Sequence, residues 1–330
     1  MPSKTIPLSV ITLWGLSALL GGLCSPMLSQ AQNYPSKNIR FIVSDSAGGL
    51  ADTVARILAN ALSEELGQRV VVENHAGAGS NIGAALAAKS APDGYTWYEA
   101  PQTMTVNAFL YKNLPYDFLR DFSPVTRLGG APALIVVHPS LPVYSLPELV
   151  SLAKRQPSAI SFASAGTGTP TFLSPELFKR TAGIHLLHVP YRGGGEAITA
   201  VLTGETPLYF APLSVAMPQV RSGRLRALAI TSAQRLPLAP QWPTVAESGY
   251  PGFESGFWWG LMLPVNTSKD ILRFVHATTQ ATLKRAEVSQ RLKDMAFTTV
   301  GDSPEEFATF IRSETQKWGK IIRELGLNAN

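Results

Sequence analysis

The chain has 330 residues, 45% of them hydrophobic, so it can bury a large core and form roughly two domains. Its formal net charge is +5 at pH 7, and its 28 Lys and Arg residues are scattered along the chain. This mild basicity is compatible with an anionic ligand. The lack of a Lys- or Arg-rich run argues against a nucleic-acid-binding protein.

The N-terminus has the features of a secretory signal peptide. A basic residue precedes the apolar run Ile6–Leu23, and small residues at Ser29 and Ala31 suit cleavage by a signal peptidase. Glycines interrupt the run, which is too short for a good membrane span. We expect residues 1–31 to be removed and the mature protein to be exported to the periplasm. The only cysteine, Cys24, would be lost with them, which excludes a disulfide framework.

The mature chain begins with a strand, a glycine turn and a helix. Ile39–Val43 is an apolar strand, and Leu50–Leu66 is an amphipathic helix beyond a loop of small residues. Such a turn leaves backbone N–H groups free at the helix N-terminus, where the helix dipole also favours an anion. We therefore predict that Ala47, Gly48 and Gly49 contact an anionic ligand.

Strands and short helices then alternate, which predicts parallel sheets in an α/β fold. The further predicted strands are Val70–Glu73, Tyr95–Tyr98, Leu134–His138, Ile160–Ala163, Leu186–Val189, Leu208–Ala211 and Ala227–Thr231. The further predicted helices are Asn81–Lys89, Leu146–Arg155, Phe172–Thr181, Glu196–Leu202, Val215–Arg221, Ser268–Arg285, Val288–Met295 and Pro304–Leu325. Ser303 and Glu306 have the spacing of a capping box at the start of the last helix.

Two long extended stretches, Ser123–His138 and Phe257–Pro264, are interpreted as crossings between two domains. The first domain would then comprise residues 32–127 and 258–330, and the second would comprise residues 128–257. The first domain is thus predicted to contain both ends of the mature chain.

A second candidate loop follows the strand Ile160–Ala163. It offers uncharged hydroxyl and N–H donors, which suit a carboxylate ligand. Its candidate binding residues are Ser164, Gly166, Thr167 and Thr169.

A third candidate loop, Tyr191, Arg192 and Gly193, again joins a strand to a helix. The Arg192 guanidinium is suited to contact an anionic ligand, and it is equally suited to a solvated surface position. Both interpretations of Arg192 stay open at this stage.

A dinucleotide-binding enzyme is the main alternative. Val70–Glu73 precedes a glycine-rich segment, Gly77–Gly83, and Glu99 follows about twenty residues later, as in a dinucleotide fingerprint. However, Ile82 occupies the position of the third glycine. There is no nucleophile elbow, no phosphate-binding Walker loop and no zinc-protease motif. The motifs therefore give little support to a catalytic function, although groups that meet only in the fold stay possible.

The histidines give little support to a metal site. His185 and His188 are three residues apart beside a strand, which tends to place them on opposite faces. We expect neither a metal nor a cofactor.

Several segments, in order, resemble the exported solute-binding proteins of tripartite tricarboxylate transporters, the Bug-type or TctC-like family. They are Tyr34-Pro35-Ser36-Lys37, Gly48-Gly49 with Asp52, Val71-Val72-Glu73-Asn74, Gly77-Ala78-Gly79, Ala91-Pro92-Asp93-Gly94-Tyr95-Thr96, His188-Val189-Pro190-Tyr191, Leu225-Arg226-Ala227-Leu228-Ala229 and Pro243-Thr244-Val245-Ala246-Glu247. The resemblance implies a type II periplasmic-binding-protein fold with two α/β domains joined by two crossover strands. It also implies a small organic, carboxylate-type ligand held between the domains, delivery to a membrane permease, and no cofactor and no catalysis.

On this interpretation the cleft would be lined by the three loops above and by Gln102–Thr105, with Thr103 as its candidate contact. We expect a monomer that binds no nucleic acid. An exported sensor of the same fold, which reports its ligand to a two-component system, is the alternative within this class.

Two departures from the family pattern concern the ligand. A proline-rich run before the glycines is replaced by Ser44–Ala47, so that Asp45 brings a negative charge to the presumed anion site. Ala211 stands where the family commonly has an Asp that faces the ligand. We predict that position 211 lies in the cleft and contributes to ligand preference.

Overall fold

The computed structural model describes residues 34–327, so the predicted signal peptide lies outside the described residues. In chain order the elements are β1 (Ile39–Val43), α1 (Leu50–Leu66), β2 (Val70–Asn74), α2 (Asn81–Ala88), β3 (Thr96–Pro101), α3 (Met104–Leu110), β4 (Phe122–Val137), α4 (Leu146–Arg155), β5 (Ser161–Ser164), α5 (Pro170–Ala182), β6 (Leu187–Pro190), α6 (Gly194–Leu202), β7 (Leu208–Pro212), α7 (Leu213–Arg221), β8 (Arg226–Ile230), β9 (Gly256–Pro264), α8 (Lys269–Lys284), α9 (Ala286–Asp294), β10 (Thr298–Thr299) and α10 (Pro304–Leu325).

The strands form two halves of one continuous sheet, in the order β2-β1-β3-β9-β4-β7-β5-β6, and β8 and β10 also pair with β4. Strand β1 is parallel to β2 and β3, and β5 is parallel to β6 and β7. We call the half with β1, β2, β3, β9 and β10 the first lobe, and the half with β5 to β8 the second lobe.

Strand β4 belongs to both halves. Its first part, Phe122–Pro132, pairs antiparallel with β9, and its last part, Ala133–Val137, pairs with β7. The chain therefore passes between the lobes as extended backbone, as the long stretch from Ser123 predicted. The domain limits at residues 127 and 257 remain a prediction.

Each lobe has its own hydrophobic core. In the first lobe, Ile42 and Tyr98 pack with Trp258 and Phe307. The core of the second lobe is built from aliphatic side chains on β4, β7 and β8 and on the helices that cover them. Because burial of apolar area is the main stabilising term, each lobe is held together largely by its own contacts.

Most of the predicted elements are present within one or two residues of their predicted ends, and α1, α4 and α10 have the predicted bounds. Helices α1 and α5 end at Gly67 and Gly183, both with φ of 62° in the left-handed conformation that glycine adopts without strain.

The sequence analysis missed β10 and helix α3. The first has only two residues. Five of the seven residues of α3 are buried, so its apolar residues show no one-sided period of 3.6.

The helices within residues 34–327 are amphipathic or short. None of the helices there combines the length and the apolar character that a membrane span requires.

The capping box of α10 is formed: the Ser303 hydroxyl accepts from the Glu306 N–H at 3.2 Å, and the Glu306 carboxylate accepts from the Ser303 N–H at 2.9 Å. We predict that Ser303→Ala lowers the free energy of unfolding by about 1 kcal/mol, measured by urea denaturation. Ser313→Ala, on an exposed turn of the same helix, is the matched control and is expected to be neutral or slightly stabilising. Equal effects of the two substitutions would contradict a capping role.

Candidate ligand-binding site

A cavity of about 120 Å³ lies between the two lobes. Its walls come from loops at the carboxyl ends of parallel strands, where ligands of open α/β sheets bind. The lining residues are Ser44, Asp45, Gly48, Gly49, Leu50, Ala51, Gly77, Gly79, Ser80, Glu99, Pro101, Thr103, Ala165, Thr169, Pro170, Thr171, Arg192, Gly194, Gly195, Ile198, Tyr209, Pro212, Val215, Phe257, Trp258 and Trp259.

The N-terminal ends of six helices of the described chain border this cavity. Residues at the first turn or N-cap of α1, α2, α3, α5, α6 and α7 all belong to the lining. The caps of α1, α5 and α6, which are Gly49, Thr169 and Gly193, make no side-chain capping bond. Their terminal N–H groups and the positive ends of the helix dipoles therefore favour an anion here.

The lobes touch each other at the rim of the cavity. A Cβ placed on Gly193, in the second lobe, would lie 2.6 Å from Ser46 Oγ of the first lobe. A Cβ on Gly79 would lie 3.0 Å from the Thr167 carbonyl oxygen, and one on Gly168 would lie 2.6 Å from a methyl group of Leu110. Glycine at these positions lets the loops approach closely enough to enclose the cavity.

The loop before α1 is shaped by Asp52. Its carboxylate accepts from the Gly48 N–H at 3.0 Å and pairs with Arg56 at 2.9 Å. Burial alone would disfavour the ionised carboxylate, but these two partners outweigh it, so that the pKa of Asp52 is lowered. One of the loop N–H groups is therefore used within the loop, and Asp52 acts as a structural residue.

Glu99 is the unexpected member of the cavity wall. It stands near the end of β3 between Val43 of β1 and Leu261 of β9, and it is 1% exposed. Its Oε1 has no hydrogen-bond partner in the described part of the protein. Burial raises the pKa of Glu99 well above its usual range, and the charges of Asp45 and Asp52 raise it further.

Asp45 lies close to the same space. Burial raises the pKa of its carboxyl group, and the N–H and hydroxyl of Ser46, which hydrogen-bond to it, partly oppose that rise. Burial raises the pKa of Tyr209, which lies across the cavity in the second lobe, and the charge of Asp45 raises it further. The charge of Asp45 thus influences groups on both sides of the cavity.

The aromatic wall comes from β9. Phe257 and Trp259 stack with ring centroids 5.9 Å apart, and the indole N–H of Trp258 donates to Glu314 Oε2 at 3.2 Å. Trp318 donates to the same oxygen at 3.0 Å, so Glu314 fixes the orientation of Trp258. The sequence favoured a packing role for Trp258 and Trp259. In the structure both residues make packing contacts, and both also line the cavity.

Five of the twelve predicted site residues line the cavity: Gly48, Gly49, Thr103, Thr169 and Arg192. Gly166 and Tyr191 line an adjoining opening that shares Arg192 with the cavity. Ala47, Thr167 and Gly193 lie on the surrounding loops outside the lining.

Ser164 and Ala211 lie behind the wall. Ser164 is fully buried, and its hydroxyl contacts His188 Nε2 at 2.6 Å and accepts from the Gly166 N–H at 3.0 Å. Ala211 is fully buried in the core of the second lobe, because β7 is an interior strand whose residues are all covered. Position 211, which was predicted to lie in the cleft, is not among the residues that line the cavity.

His185 and His188 lie in different environments. His185 is exposed, whereas His188 packs between Phe162 and Phe172, with centroid distances of 5.0 and 4.6 Å. Burial, aided by the charge of Lys179, lowers the pKa of His188 to about 4. Within residues 34–327 no group of three or more His, Cys, Asp or Glu residues is arranged to hold a metal ion.

Comparison with known proteins identifies the family. Residues 54–327 match the family model described as "Tripartite tricarboxylate transporter family receptor". The chain belongs to this family. It is 35% identical to Protein BugT of Bordetella pertussis, over 94% of this chain and 96% of that protein.

Solved structures of relatives share the fold. A Rhodopseudomonas palustris protein solved with adipate is 31% identical, with a TM-score of 0.86 over 89% of this chain and 99% of its own. MatC from the same organism, solved with bound malate, is 29% identical, with a TM-score of 0.82 over 88% of this chain and 100% of its own. The fold is thus the two-lobed α/β fold of periplasmic binding proteins, and the family consists of solute-binding receptors, not enzymes.

The raised pKa of Glu99 predicts a dependence of stability on pH. The folded state binds this proton more tightly than the unfolded chain, so the contribution is fully present below about pH 4.5 and is lost as pH rises toward the raised pKa. We predict that Glu99→Gln removes this loss. Its melting temperature should exceed that of the parent by an amount that grows as the pH is raised above about 4.5. Glu254→Gln, at an exposed acid outside the lining, should follow the parent at every pH.

Contact between Gly193 and Ser46 predicts a way to open the cleft. Gly193 has φ of −172°, which alanine adopts freely, so Gly193→Ala introduces a clash across the cleft without strain in its own loop. The Ser46 hydroxyl can rotate away, but Ser46 Cβ would still lie 3.3 Å from the new methyl group, so the closed form is disfavoured. The protein should shift toward an open form with a larger radius of gyration in X-ray solution scattering. Adding Ser46→Gly removes the clashing atoms and should restore the parent value. An unchanged radius in Gly193→Ala would contradict closure through this contact.

Proposed function

We propose that this protein captures a small organic carboxylate in the cavity between its lobes, in the periplasm, and delivers it to a membrane permease of the tripartite tricarboxylate type. The observation that carries this proposal is the convergence of several helix N-termini on the cavity between the lobes. Backbone N–H groups at helix N-termini bind carboxylates without any dedicated side chain.

Two further observations support the ligand class. The family consists of solute-binding receptors, and two relatives with the same fold were solved with adipate and with malate. Arg192, which is exposed at the rim of the cavity, adds a cation suited to a carboxylate.

Closure explains how binding is signalled. The loops of Gly193 and Thr167 lie against the first lobe, and a ligand that contacts both lobes would stabilise that arrangement. A permease that recognises the closed pair of lobes would thus distinguish the loaded protein from the empty one. Export to the periplasm is expected from the signal-peptide features of the N-terminus.

Thermal-shift screening of the mature protein against mono-, di- and tricarboxylates tests the ligand class. A ligand present at about 100 times its Kd adds about 2.7 kcal/mol to the free energy of unfolding, so a bound acid should raise the melting temperature by several degrees. A nicotinamide dinucleotide is the control for the alternative ligand class and should produce no shift. A shift with the dinucleotide and with none of the acids would overturn the proposal.

Delivery to a permease requires its own experiment. The loaded mature protein, immobilised and mixed with detergent-solubilised membranes of its source, should retain a multispanning permease, and Gly193→Ala should retain less of it. Retention of a membrane histidine kinase in place of a permease would show that the protein serves a sensor.

A further inference from the structure

Ser164 and His188 form a hydrogen-bonded pair beside the loop of residues 164–169, which joins β5 to α5. The Ser164 Oγ lies 2.6 Å from His188 Nε2, and it accepts from the Gly166 N–H at 3.0 Å. Ser164 is fully buried, and neither member of the pair lines the cavity. Any effect of the pair on binding therefore passes through the loop.

The partners of the Ser164 hydroxyl set the direction of its hydrogen bond to the imidazole. A backbone N–H can only donate, so the bond from Gly166 does not take up the hydroxyl proton. Within residues 34–327 the remaining side-chain partner of this hydroxyl is His188 Nε2. The hydroxyl therefore donates to Nε2, which requires a neutral imidazole with its proton on Nδ1.

The surroundings of His188 keep its imidazole neutral and hold its plane. Phe162 and Phe172 pack against the ring, with centroid distances of 5.0 and 4.6 Å. The charged groups on the adjacent helix α5 are Lys179 and Glu176, which pair at 2.7 Å. Burial, with the charge of Lys179, lowers the pKa of His188 to about 4, so Nε2 is an acceptor at neutral pH.

Two threonine hydroxyls hold the other end of the loop. Thr169 Oγ1 donates to the Gly166 carbonyl oxygen at 2.6 Å, and the Ala165 N–H donates to Thr171 Oγ1 at 2.8 Å. Gly166 has φ of +116°, a conformation that other residues rarely adopt. Because Ala165, Thr169 and Thr171 line the cavity, the shape of this wall depends on how Gly166 is held, and Ser164 holds its N–H.

A serine hydroxyl beside a histidine also resembles a nucleophile with its general base. A nucleophile must reach a substrate, whereas Ser164 is fully buried and its oxygen already accepts from a backbone N–H. The pair is thus arranged to hold a loop and not to attack a ligand.

We propose, on the basis of the function proposed above, that His188 is a positioning residue for ligand binding. Through the Ser164 hydroxyl it holds the Gly166 N–H, and it thereby sets the shape of the loop of residues 164–169 before the ligand arrives. A loop that is already ordered loses less conformational entropy on binding, so this relay increases the affinity for the ligand.

NMR spectroscopy of the ligand-free mature protein tests the relay itself. At neutral pH the side-chain nitrogen resonances of His188 should be those of the Nδ1–H tautomer, with Nε2 unprotonated. The Gly166 amide should exchange slowly with solvent, because its hydrogen bond to Ser164 must open first.

Variants connect this protection to the pair. His188→Phe keeps a ring between Phe162 and Phe172 but offers no acceptor, so the Ser164 hydroxyl is free to turn away from the Gly166 N–H. Ser164→Ala removes the hydroxyl. Each substitution should speed exchange of the Gly166 amide by at least about tenfold.

Two further variants separate the relay from general packing. His188→Gln, whose amide oxygen can replace Nε2 as the acceptor, should recover most of the protection of Gly166. His185→Gln, at an exposed histidine three residues earlier, is the matched control and should leave exchange unchanged.

Isothermal titration with adipate and with malate tests the effect on binding. For an acid that the parent binds, His188→Phe and Ser164→Ala should each raise the Kd by at least about fivefold. The double variant should bind no more weakly than the weaker single variant, because both substitutions interrupt the same chain of hydrogen bonds.

The outcomes separate this proposal from the function on which it rests. An Nε2–H tautomer, or unchanged Gly166 exchange in both His188→Phe and Ser164→Ala, would overturn the relay. Faster exchange with unchanged affinity, or additive losses in the double variant, would overturn its part in binding. A parent protein that binds neither acid would count against the proposed function, and the tautomer and the exchange rates would still decide the relay.

Discussion

The antiparallel pairing of β4 with β9 is the constraint on which the rest of the structure depends. β4 continues from this ladder into the second lobe, where it pairs with β7 and β8. Because the same strand is a member of both halves of the sheet, the carboxyl ends of β1 and β3 face those of β5 and β7 across one cleft. The cavity exists because this shared strand sets the two lobes opposite each other.

The shared strand also explains a local sequence feature. Gly129 has φ of +153°, and a Cβ there would lie 2.2 Å from the carbonyl oxygen of Thr298 on β10. Glycine allows β10 to pair directly with β4 where the register of β4 against β9 shifts. The irregular register of β4 therefore lies close to the point where the strand passes from one half of the sheet to the other.

The electrostatics of the cavity combine two opposing elements. Helix N-termini supply positive potential from backbone groups, which any sequence with the right turns provides. The acids at positions 45 and 99 are side-chain features of this chain, and one of them, Glu99, is buried where an unpaired charge is least favourable. The fold accounts for the positive potential of the helix N-termini. The acidic groups come from the particular side chains of this chain.

Most of the succession of elements follows from local properties of the sequence, which are periodicity, the glycine C-caps and the Ser303 capping box. The sequence also indicated the glycine loops of the site, since a strand, a turn and a helix N-terminus make a binding loop wherever they occur in that order. The short buried helix α3 escaped prediction because burial on most sides removes the one-sided pattern. Only the tertiary structure decided that Ala211 lies in a core and that Glu99 reaches the cavity. The contacts of a side chain on an interior strand depend on which strands and helices pack against it. Those neighbours come from segments far apart in sequence, so local patterns do not reveal them.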